Sequence, residues 1–368
     1  MAERPCTGLQ ILLPRFDSGR GLQTGPVADK PASPHRPMAP PPDKPFPSHG
    51  GDLAFATRVY GEPVNGWLDL STGINPDPYP APALTPEMLT RLPDRKALLG
   101  LLAAARAAYR VPAAIDIVAV PGTEIAIRLL PFIAPPGKVA IVSPTYGSHA
   151  DAWRSRETVT VPSVGDIPAD AAVAVVVNPN NPDGKTTPPE ILSRRAGTSP
   201  FLIVDEAFAD IAPDISIIPL MANPNIVVLR SLGKFYGLAG VRLGFVIAAP
   251  VVAARIERLL GDWPVSGPAL AIGAAALSDD AWRARARARL GKTMLALRAL
   301  LTEHGLTIVG GTDLFVLVAT PEAHALHRAL LQRGILTRAF ADHPSWLRFG
   351  LPGNAGMDRL AAALSALR

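Results

Sequence analysis

The sequence predicts an α/β protein: a mostly parallel sheet covered by helices, followed by a smaller α+β unit. One observation is a series of short apolar runs, each ending in polar or turn residues: KVAIVSPTY, AAVAVVVNPNNP, PFLIVDEAF and NIVVLRSLGK. Continuous apolar strands separated by helical segments are typical of parallel sheets buried on both faces. A second observation is that long helical patterns dominate after residue 250 and precede the strand-like DLFVLVAT and SWLRFGL.

Three helical segments support this fold. RKALLGLLAAARAAYRV (95–111) predicts a buried helix, and IDIVAVPGTEIAIRLLPFI (115–133) predicts a strand, a turn and a helix. The basic run RARARARL (283–290) would place its arginines on two faces of a helix. We therefore predict a solvated surface helix there rather than a nucleic-acid patch, and no nucleic-acid partner.

Composition limits the class of protein. The chain has 368 residues, 48% of them hydrophobic, and a formal net charge of +5. The single cysteine, Cys6, excludes an internal disulfide framework and a cysteine-based metal cage, and no metal site is predicted. Because no apolar run approaches the length of a membrane span and the start carries only a short apolar patch, we expect a soluble cytoplasmic protein with no membrane partner.

The chain divides at about residue 48. The segment before it contains DKPASPHRPMAPPPDKPFP, and such proline density favours extended, solvated backbone. We predict that residues 1–47 are mostly disordered. After them we expect an N-terminal arm at 48–80, a large domain at 81–250 and a small C-terminal domain at 251–368.

Polar residues follow the predicted strands. Ligands of open α/β sheets bind beyond the carboxyl ends of the strands, which makes these residues candidates. Each has a structural explanation by itself, such as a turn, a helix cap or a core tyrosine. Together they suit a cofactor that needs an amine partner, a carboxylate partner and a phosphate cradle. They are Gly122-Thr123-Glu124, Tyr146, Asn178 to Asn181, Asp205 and Ser231 to Lys234.

The order of these motifs resembles that of a known family. GTE, PTY, NPNNPDG, DEAF, SLGKFYGLAGVRLG and LRFGLPG follow one another as in the fold-type I enzymes that use pyridoxal 5′-phosphate (PLP), in the histidinol-phosphate aminotransferase group. The resemblance runs from about residue 48 to the C-terminus. It implies PLP as cofactor and an aspartate aminotransferase-like fold.

The resemblance also implies roles for individual residues. Lys234 and Asp205 would be catalytic, the first as the Schiff-base lysine and the second as the carboxylate that keeps the pyridine nitrogen protonated. Arg348 would hold the substrate α-carboxylate. The implied cofactor-binding residues are Gly122, Thr123, Glu124, Tyr146 (on the ring face), Asn181 (to O3′), Asp205, Ser231, Lys234 and Arg242, with Ser231, Arg242 and the Gly122–Glu124 backbone at the phosphate.

Two positions depart from the aminotransferase pattern. Phe208 stands where many relatives have a tyrosine that also donates to O3′. Leu92, in RLPD, stands where histidinol-phosphate aminotransferases commonly have a tyrosine that reaches the neighbouring subunit. Both differences weaken an aminotransferase assignment.

The front of the chain resembles another branch of the same fold. SHGGDLAFATRVYG (48–61) followed by LDLSTGINPDPYP (68–80) is similar to the opening of the threonine-phosphate decarboxylases. The resemblance implies a substrate-phosphate site, because glycine backbone can close around an anion and a histidine adds a donor that can be charged. The residues expected to contact substrate are His49, Gly50, Gly51, Asn75 and, with a surface arginine as the alternative, Arg338.

The resulting expectation is PLP-dependent decarboxylation of L-threonine O-3-phosphate in cobalamin biosynthesis, by a homodimer. A histidinol-phosphate-type aminotransferase is one alternative. A PLP-fold protein without catalysis, serving as a binding or regulatory module, is an alternative of another class.

Overall fold

The computed structural model describes residues 50–197 and 201–367. The predicted disorder of residues 1–47 falls outside these ranges. None of the helices in the described ranges combines the length and apolar character needed to cross a bilayer. The helices are α1 (Leu53–Tyr60), α2 (Pro86–Thr90), α3 (Arg95–Tyr109), α4 (Thr123–Ile133), α5 (Gly147–Trp153), α6 (Pro189–Ala196), α7 (Pro250–Leu260), α8 (Gly267–Ser278), α9 (Asp280–Glu303), α10 (Ala323–Leu331) and α11 (Asn354–Ser365).

The strands alternate with these helices through the first two thirds of the described chain. They are β1 (Leu68–Asp69), β2 (Asp116–Val120), β3 (Val139–Val142), β4 (Thr158–Val161), β5 (Val173–Val177), β6 (Leu202–Asp205), β7 (Ile226–Ser231), β8 (Gly244–Ala248), β9 (Thr307–Thr312), β10 (Phe315–Ala319), β11 (Ile335–Leu336), β12 (Arg338–Ala339) and β13 (Trp346–Gly350).

A seven-stranded sheet forms the larger layer, in the order β2-β8-β7-β6-β5-β3-β4. β8 runs antiparallel to both of its neighbours, and the other adjacent pairs are parallel. Alternate residues of the strands enter two separate apolar clusters. Ile226 and Val228 join the cluster that contains α3 and α8, while Val227 and Leu229 join the one that contains α4 and α7. The mostly parallel, doubly covered sheet predicted from the sequence is confirmed.

The register of this sheet brings the polar strand ends together. On β5 and β6, Val177 pairs with Asp205, and Asp205 pairs in turn with Leu229 on β7. Ser231 ends β7 two residues later. Because these three strands are parallel and adjacent, the residues that follow them share one edge of the sheet.

The C-terminal part forms a four-stranded antiparallel sheet, in the order β12-β13-β10-β9. The segment around β1 joins this part, because β1 pairs in parallel with β11. Leu70 extends the connection: its N–H donates to Leu336 O and its carbonyl accepts from Gly350 N–H, both at 2.7 Å. The division of residues 48–368 into arm, large domain and small domain stays a prediction.

Two helix predictions need correction. The predicted helix at 95–111 is not buried as a whole, since α3 buries only Leu101, Ala105 and Tyr109 and leaves its other faces partly or fully exposed. The arginines of α9 are not uniformly solvated either. Arg283 donates to Leu277 O at 2.8 Å and Arg287 to Asp210 O at 2.7 Å. The physical reason is that long arginine side chains can lie along the body and satisfy carbonyl groups there.

A buried ionic cluster lies behind the polar strand ends. Arg230 donates to Glu206 Oε2 at 3.0 Å and to Asp210 Oδ1 at 2.6 Å, and each of the three side chains is at most 4% exposed. Burial raises the pKa of Glu206, although Arg230 and the hydrogen bonds from Ser216 and Ile217 act in the opposite direction. The cluster therefore depends on all its partners being present.

Arg230→Ala would leave two buried carboxylates without their counter-ion. We expect the free energy of unfolding to fall by about 3–5 kcal/mol, the cost of breaking a buried pair from one side. Urea unfolding followed by circular dichroism measures the change. Lys185→Ala is the matched control, because Lys185 pairs with Asp183 at 3.3 Å but is 77% exposed. Similar losses in both variants would contradict the argument.

Candidate active site

All nine predicted cofactor residues line one cavity of about 150 Å³ at the edge of the large sheet. Apolar residues including Val177, Ala207, Phe208 and Leu243 complete its wall. The predicted residues present are Gly122, Thr123, Glu124, Tyr146, Asn181, Asp205, Ser231, Lys234 and Arg242.

Lys234 lies in the loop after β7, is partly buried and lines a cavity wall. Desolvation and the Arg348 guanidinium lower its pKa, Asp205 opposes them, and the resulting pKa is about 8. Its Nζ is 5.6 Å from the centroid of the Phe208 ring. A lysine with this pKa supplies a substantial fraction of neutral amine near neutral pH, as a nucleophile must.

Asp205 ends β6 and is held by two contacts. Its Oδ1 accepts from Ala207 N–H at 3.0 Å, and its Oδ2 lies 3.0 Å from Nε2 of His149. His149 is buried on α5 and was missed by the sequence reasoning. The available signal was a histidine three residues after Tyr146, one helical turn further on. The contact fixes the orientation of the Asp205 carboxylate.

An anion cradle forms where α4 begins. Gly122 has φ +84° and caps the helix, whose first N–H groups have no partner within the helix. A Cβ on Gly122 would lie 2.5 Å from Nη2 of Arg242, and the positive φ favours glycine at this position. Ser231 adds a hydroxyl, which accepts from Gly233 N–H at 3.2 Å. The Arg242 cation, the N-terminus of α4 and the Ser231 hydroxyl together suit a phosphate group.

Two side chains complete the wall toward the ring of a cofactor. Tyr146 donates to Glu124 Oε2 at 3.2 Å. Asn181 accepts through Oδ1 from Arg348 Nη1. Because a guanidinium only donates, this contact identifies the amide oxygen and leaves the Asn181 NH₂ group as the donor on the other side.

These residues fit PLP. A partly buried lysine with a lowered pKa, a fixed carboxylate and the Gly122–Arg242 cradle share one cavity, and they match the aldehyde, ring nitrogen and phosphate of that cofactor. Phe208 is buried against Phe315, with ring centroids 5.1 Å apart, and offers no donor.

A larger cleft of about 880 Å³ adjoins this cavity and shares Tyr146, Asn181, Phe208 and Lys234 with it. Three predicted substrate residues line it: Gly50, Arg338 and Arg348. Gly51 lines a small pocket beside Gly50. The predicted residue His49 lies outside the described residues.

Arg338 and Arg348 face each other across neighbouring strands. They are direct partners in the antiparallel register of β12 and β13, and both line the cleft. Burial and the Arg338 charge lower the pKa of Arg348 to about 9. Its Nε is buried without a hydrogen-bond partner among the described residues, and its Nη2 donates to Ser71 O at 2.7 Å. Each Nη of Arg348 carries two N–H groups, of which the contacts with Asn181 and Ser71 use one apiece, so Arg348 retains donors at the wall of the cleft.

Asn75 does not lie where the sequence analysis expected it. It lines neither cavity, and its side chain is 2.9 Å from Phe235 O as donor and 3.0 Å from Asp77 N–H as acceptor. Its backbone N–H donates to Lys234 O at 3.0 Å. The side chain is held by these bonds and is 2% exposed, so Asn75 fastens the N-terminal segment to the lysine loop and does not line the cleft.

The chain is similar in sequence to known proteins over most of its length. A sequence profile of the family described as aminotransferase class I and II matches residues 95–364. The chain is 43% identical over 329 residues to a threonine-phosphate decarboxylase from Sinorhizobium sp., covering 87% of this chain and 98% of the relative. It is 40% identical over 329 residues to a threonine-phosphate decarboxylase from Pseudomonas aeruginosa, covering 86% and 96%.

A solved structure shows the same fold. The histidinol-phosphate aminotransferase from Sinorhizobium meliloti, in complex with pyridoxal-5′-phosphate, superposes with a TM-score of 0.71 at 19% identity, over 86% of this chain and 96% of that one. The expected PLP fold-type I architecture is confirmed.

Lys234 in cofactor-free protein should react with added PLP at a rate that rises with pH and levels off above about 8, because the neutral amine attacks. Stopped-flow absorbance measures this rate. Arg348→Met removes a cation that disfavours the charged amine, so the midpoint should move to higher pH. A wild-type rate that keeps rising through pH 10 would contradict the lowered pKa.

Proposed function

Because the chain belongs to the aminotransferase class I and II family, we propose that it is a PLP-dependent carboxy-lyase that decarboxylates L-threonine O-3-phosphate. The products are (R)-1-amino-2-propanol O-2-phosphate and CO₂, and the reaction belongs to cobalamin (vitamin B12) biosynthesis. The support is the 43% and 40% identity, over most of each chain, to relatives named threonine-phosphate decarboxylase.

The cross-strand pair of Arg338 and Arg348 is the structural observation that carries the choice of substrate. Like charges directly opposite on neighbouring strands destabilise a sheet, unless a ligand offsets them. Threonine phosphate brings a carboxylate and a phosphate on adjacent carbons, whereas histidinol phosphate has a phosphate and no carboxylate. Two arginines on one wall of the cleft therefore favour the substrate with two anionic groups.

The residues of the smaller cavity would hold PLP by its three polar regions. Asp205 would keep a proton on the pyridine nitrogen, the Asn181 amide would donate to O3′, and the cradle at Gly122 and Arg242 would hold the phosphate. When bound, PLP supplies an electron sink for the electron pair left on Cα as CO₂ departs. Phe208 has no hydroxyl that could donate to O3′, so Asn181 would be the O3′ donor.

The side chains of the larger cleft determine which bond of the substrate breaks. Arg348 orients the carboxylate, and Arg338 with the Gly50 backbone takes the phosphate, since all three residues line the larger cleft. Anchoring both groups restricts rotation at Cα, so the Cα–COO⁻ bond rather than the Cα–H bond is presented for cleavage. Lys234 then gives a proton to Cα, since it lies on the wall shared by the two cavities.

We also propose a cytoplasmic homodimer. Exposed apolar side chains support a partner surface, since Leu89, Leu92 and Leu99 are 69%, 67% and 54% exposed within the short stretch from α2 to α3. Light scattering coupled to size exclusion reports the mass in solution.

Asp205→Asn should lower turnover of threonine phosphate by at least about two to three decades, the scale of a single electrostatic contribution to catalysis. The amide cannot keep the ring nitrogen charged, while the phosphate cradle still holds PLP. Released CO₂ and the PLP content of the purified variant are measured together. Near-normal turnover would mean that another group pairs with the nitrogen.

Arg338→Gln should raise KM for threonine phosphate by about tenfold to a hundredfold, the value of one charge-assisted contact. Plain threonine lacks the phosphate, so its poor turnover should hardly change. His49→Ala carries the same expectation from the sequence. The measurement is CO₂ trapping with both substrates, and equal losses on both would contradict a role at the phosphate.

The same assay separates the alternatives. If wild-type protein releases no CO₂ and instead transfers the amino group of histidinol phosphate to 2-oxoglutarate, it is an aminotransferase. If it shows neither activity and no PLP absorbance, it is a binding or regulatory protein.

A further inference from the structure

We propose that Ser71 is a positioning residue that fixes the spacing between two anion sites of the substrate. One is the phosphate site at Gly50 and Arg338, which Gly51 adjoins, and the other is the carboxylate site at Arg348. The inference rests on the proposed function and identifies the residue that couples its two anchors. Ser71 is 2% exposed and lines both the large cleft and the small pocket beside it.

The Ser71 hydroxyl is oriented by Asp69. It donates to Asp69 Oδ1 at 2.5 Å, and the backbone N–H of Ser71 donates to the same oxygen at 2.8 Å. A hydroxyl has one proton, so its lone pairs are left to accept. They receive the N–H of Gly51 at 2.8 Å. The carboxylate of Asp69 thereby holds the glycine backbone through the serine.

The backbone of the same residue holds the other site. The Ser71 carbonyl accepts from Nη2 of Arg348 at 2.7 Å. The side chain of Ser71 therefore fixes Gly51, and its main chain fixes the arginine. Truncation of the side chain therefore removes the first contact and keeps the atoms of the second.

The glycines of the motif are explained by this close approach. A Cβ on Gly50 would lie 2.3 Å from Ser71 O and 2.8 Å from Ser71 Oγ, distances that no side chain can occupy. Gly51 has φ +88°, a conformation that favours glycine. Contact with Ser71 thus requires glycine at position 50, and the backbone conformation favours glycine at position 51, in addition to any contact with a ligand.

Ser71 stands on a rigid base. The preceding residue, Leu70, donates to Leu336 O and accepts from Gly350 N–H, both at 2.7 Å. Leu336 and Gly350 each lie two residues from one of the paired arginines. The backbone next to Ser71 is therefore hydrogen-bonded to β11, which ends two residues before Arg338, and to β13, which carries Arg348. Because of these bonds, Ser71 can set the distance between the two anion sites.

Ser71→Ala separates the two anchors, because it releases Gly51 N–H and keeps the carbonyl bond to Arg348. In the PLP-loaded enzyme, we expect KM for threonine phosphate and the inhibition constant of inorganic phosphate to rise about threefold to tenfold, as for one lost neutral hydrogen bond. Affinity for L-threonine, which has the carboxylate and no phosphate, should stay unchanged. The visible absorbance of the cofactor should also stay unchanged.

Ser163→Ala is the matched control. Ser163 donates its hydroxyl to Asp166 Oδ2 at 2.6 Å, the same chemical pair, on an exposed turn after β4. We expect it to leave both binding constants and KM at wild-type values.

Equal weakening of inorganic phosphate and L-threonine in Ser71→Ala would overturn the proposal, since it would show a merely structural role. Unchanged binding of both would overturn it as well. Failure of the proposed function has a different signature: wild-type protein would release no CO₂ from threonine phosphate. Titration with inorganic phosphate, followed by intrinsic tryptophan fluorescence, would still report the effect of Ser71.

Discussion

The register between β6 and β7 is the constraint on which the site depends, and the buried pair of Glu206 and Arg230 helps to hold it. Glu206 directly follows Asp205, and Arg230 directly precedes Ser231. Neighbouring residues of a strand face opposite sides of the sheet, so the pair lies on one side and the two cofactor residues on the other. A buried ion pair contributes little net stability, but its geometry is demanding. We interpret it as a device that sets the distance between Asp205 and Ser231.

A second layer of organisation comes from the N-terminal segment that crosses the molecule. Asn75 N–H binds Lys234 O, and Tyr79 N–H binds Tyr236 O at 2.8 Å, so this segment runs along the lysine loop. Gly237 permits the approach, since a Cβ there would lie 2.7 Å from Pro78 Cα. Residues 68–71 also reach the C-terminal sheet. Residues 68–79 are therefore hydrogen-bonded to the loop that carries Lys234, to β11, which ends two residues before Arg338, and to β13, which carries Arg348.

Different residues would serve the cofactor and select the bond that breaks. Lys234, Asp205 and Asn181 would serve a transaminase as well as a decarboxylase, because all such reactions begin by drawing electrons from Cα. The difference must come from how the substrate is turned, and that depends on its anchored groups. In the proposed reaction, Arg348 would anchor the carboxylate, and Arg338 beside the glycine pair would anchor the phosphate. A substrate without a carboxylate would need only the second anchor.

The sequence by itself determined the parallel sheet, and strand-end residues of its adjacent parallel strands converge at one edge. The resemblance of its motifs to a known family selected nine residues that line the smaller cavity. The tertiary structure decided what depends on contacts between distant parts of the chain. His149 beside Asp205 is 56 residues away in sequence, and Arg348 reaches Ser71 across 277 residues. The motif around Asn75 predicted a contact with substrate, but the Asn75 amide donates a hydrogen bond to Phe235 O. No local pattern encodes these bonds, since each depends on where two remote backbones meet.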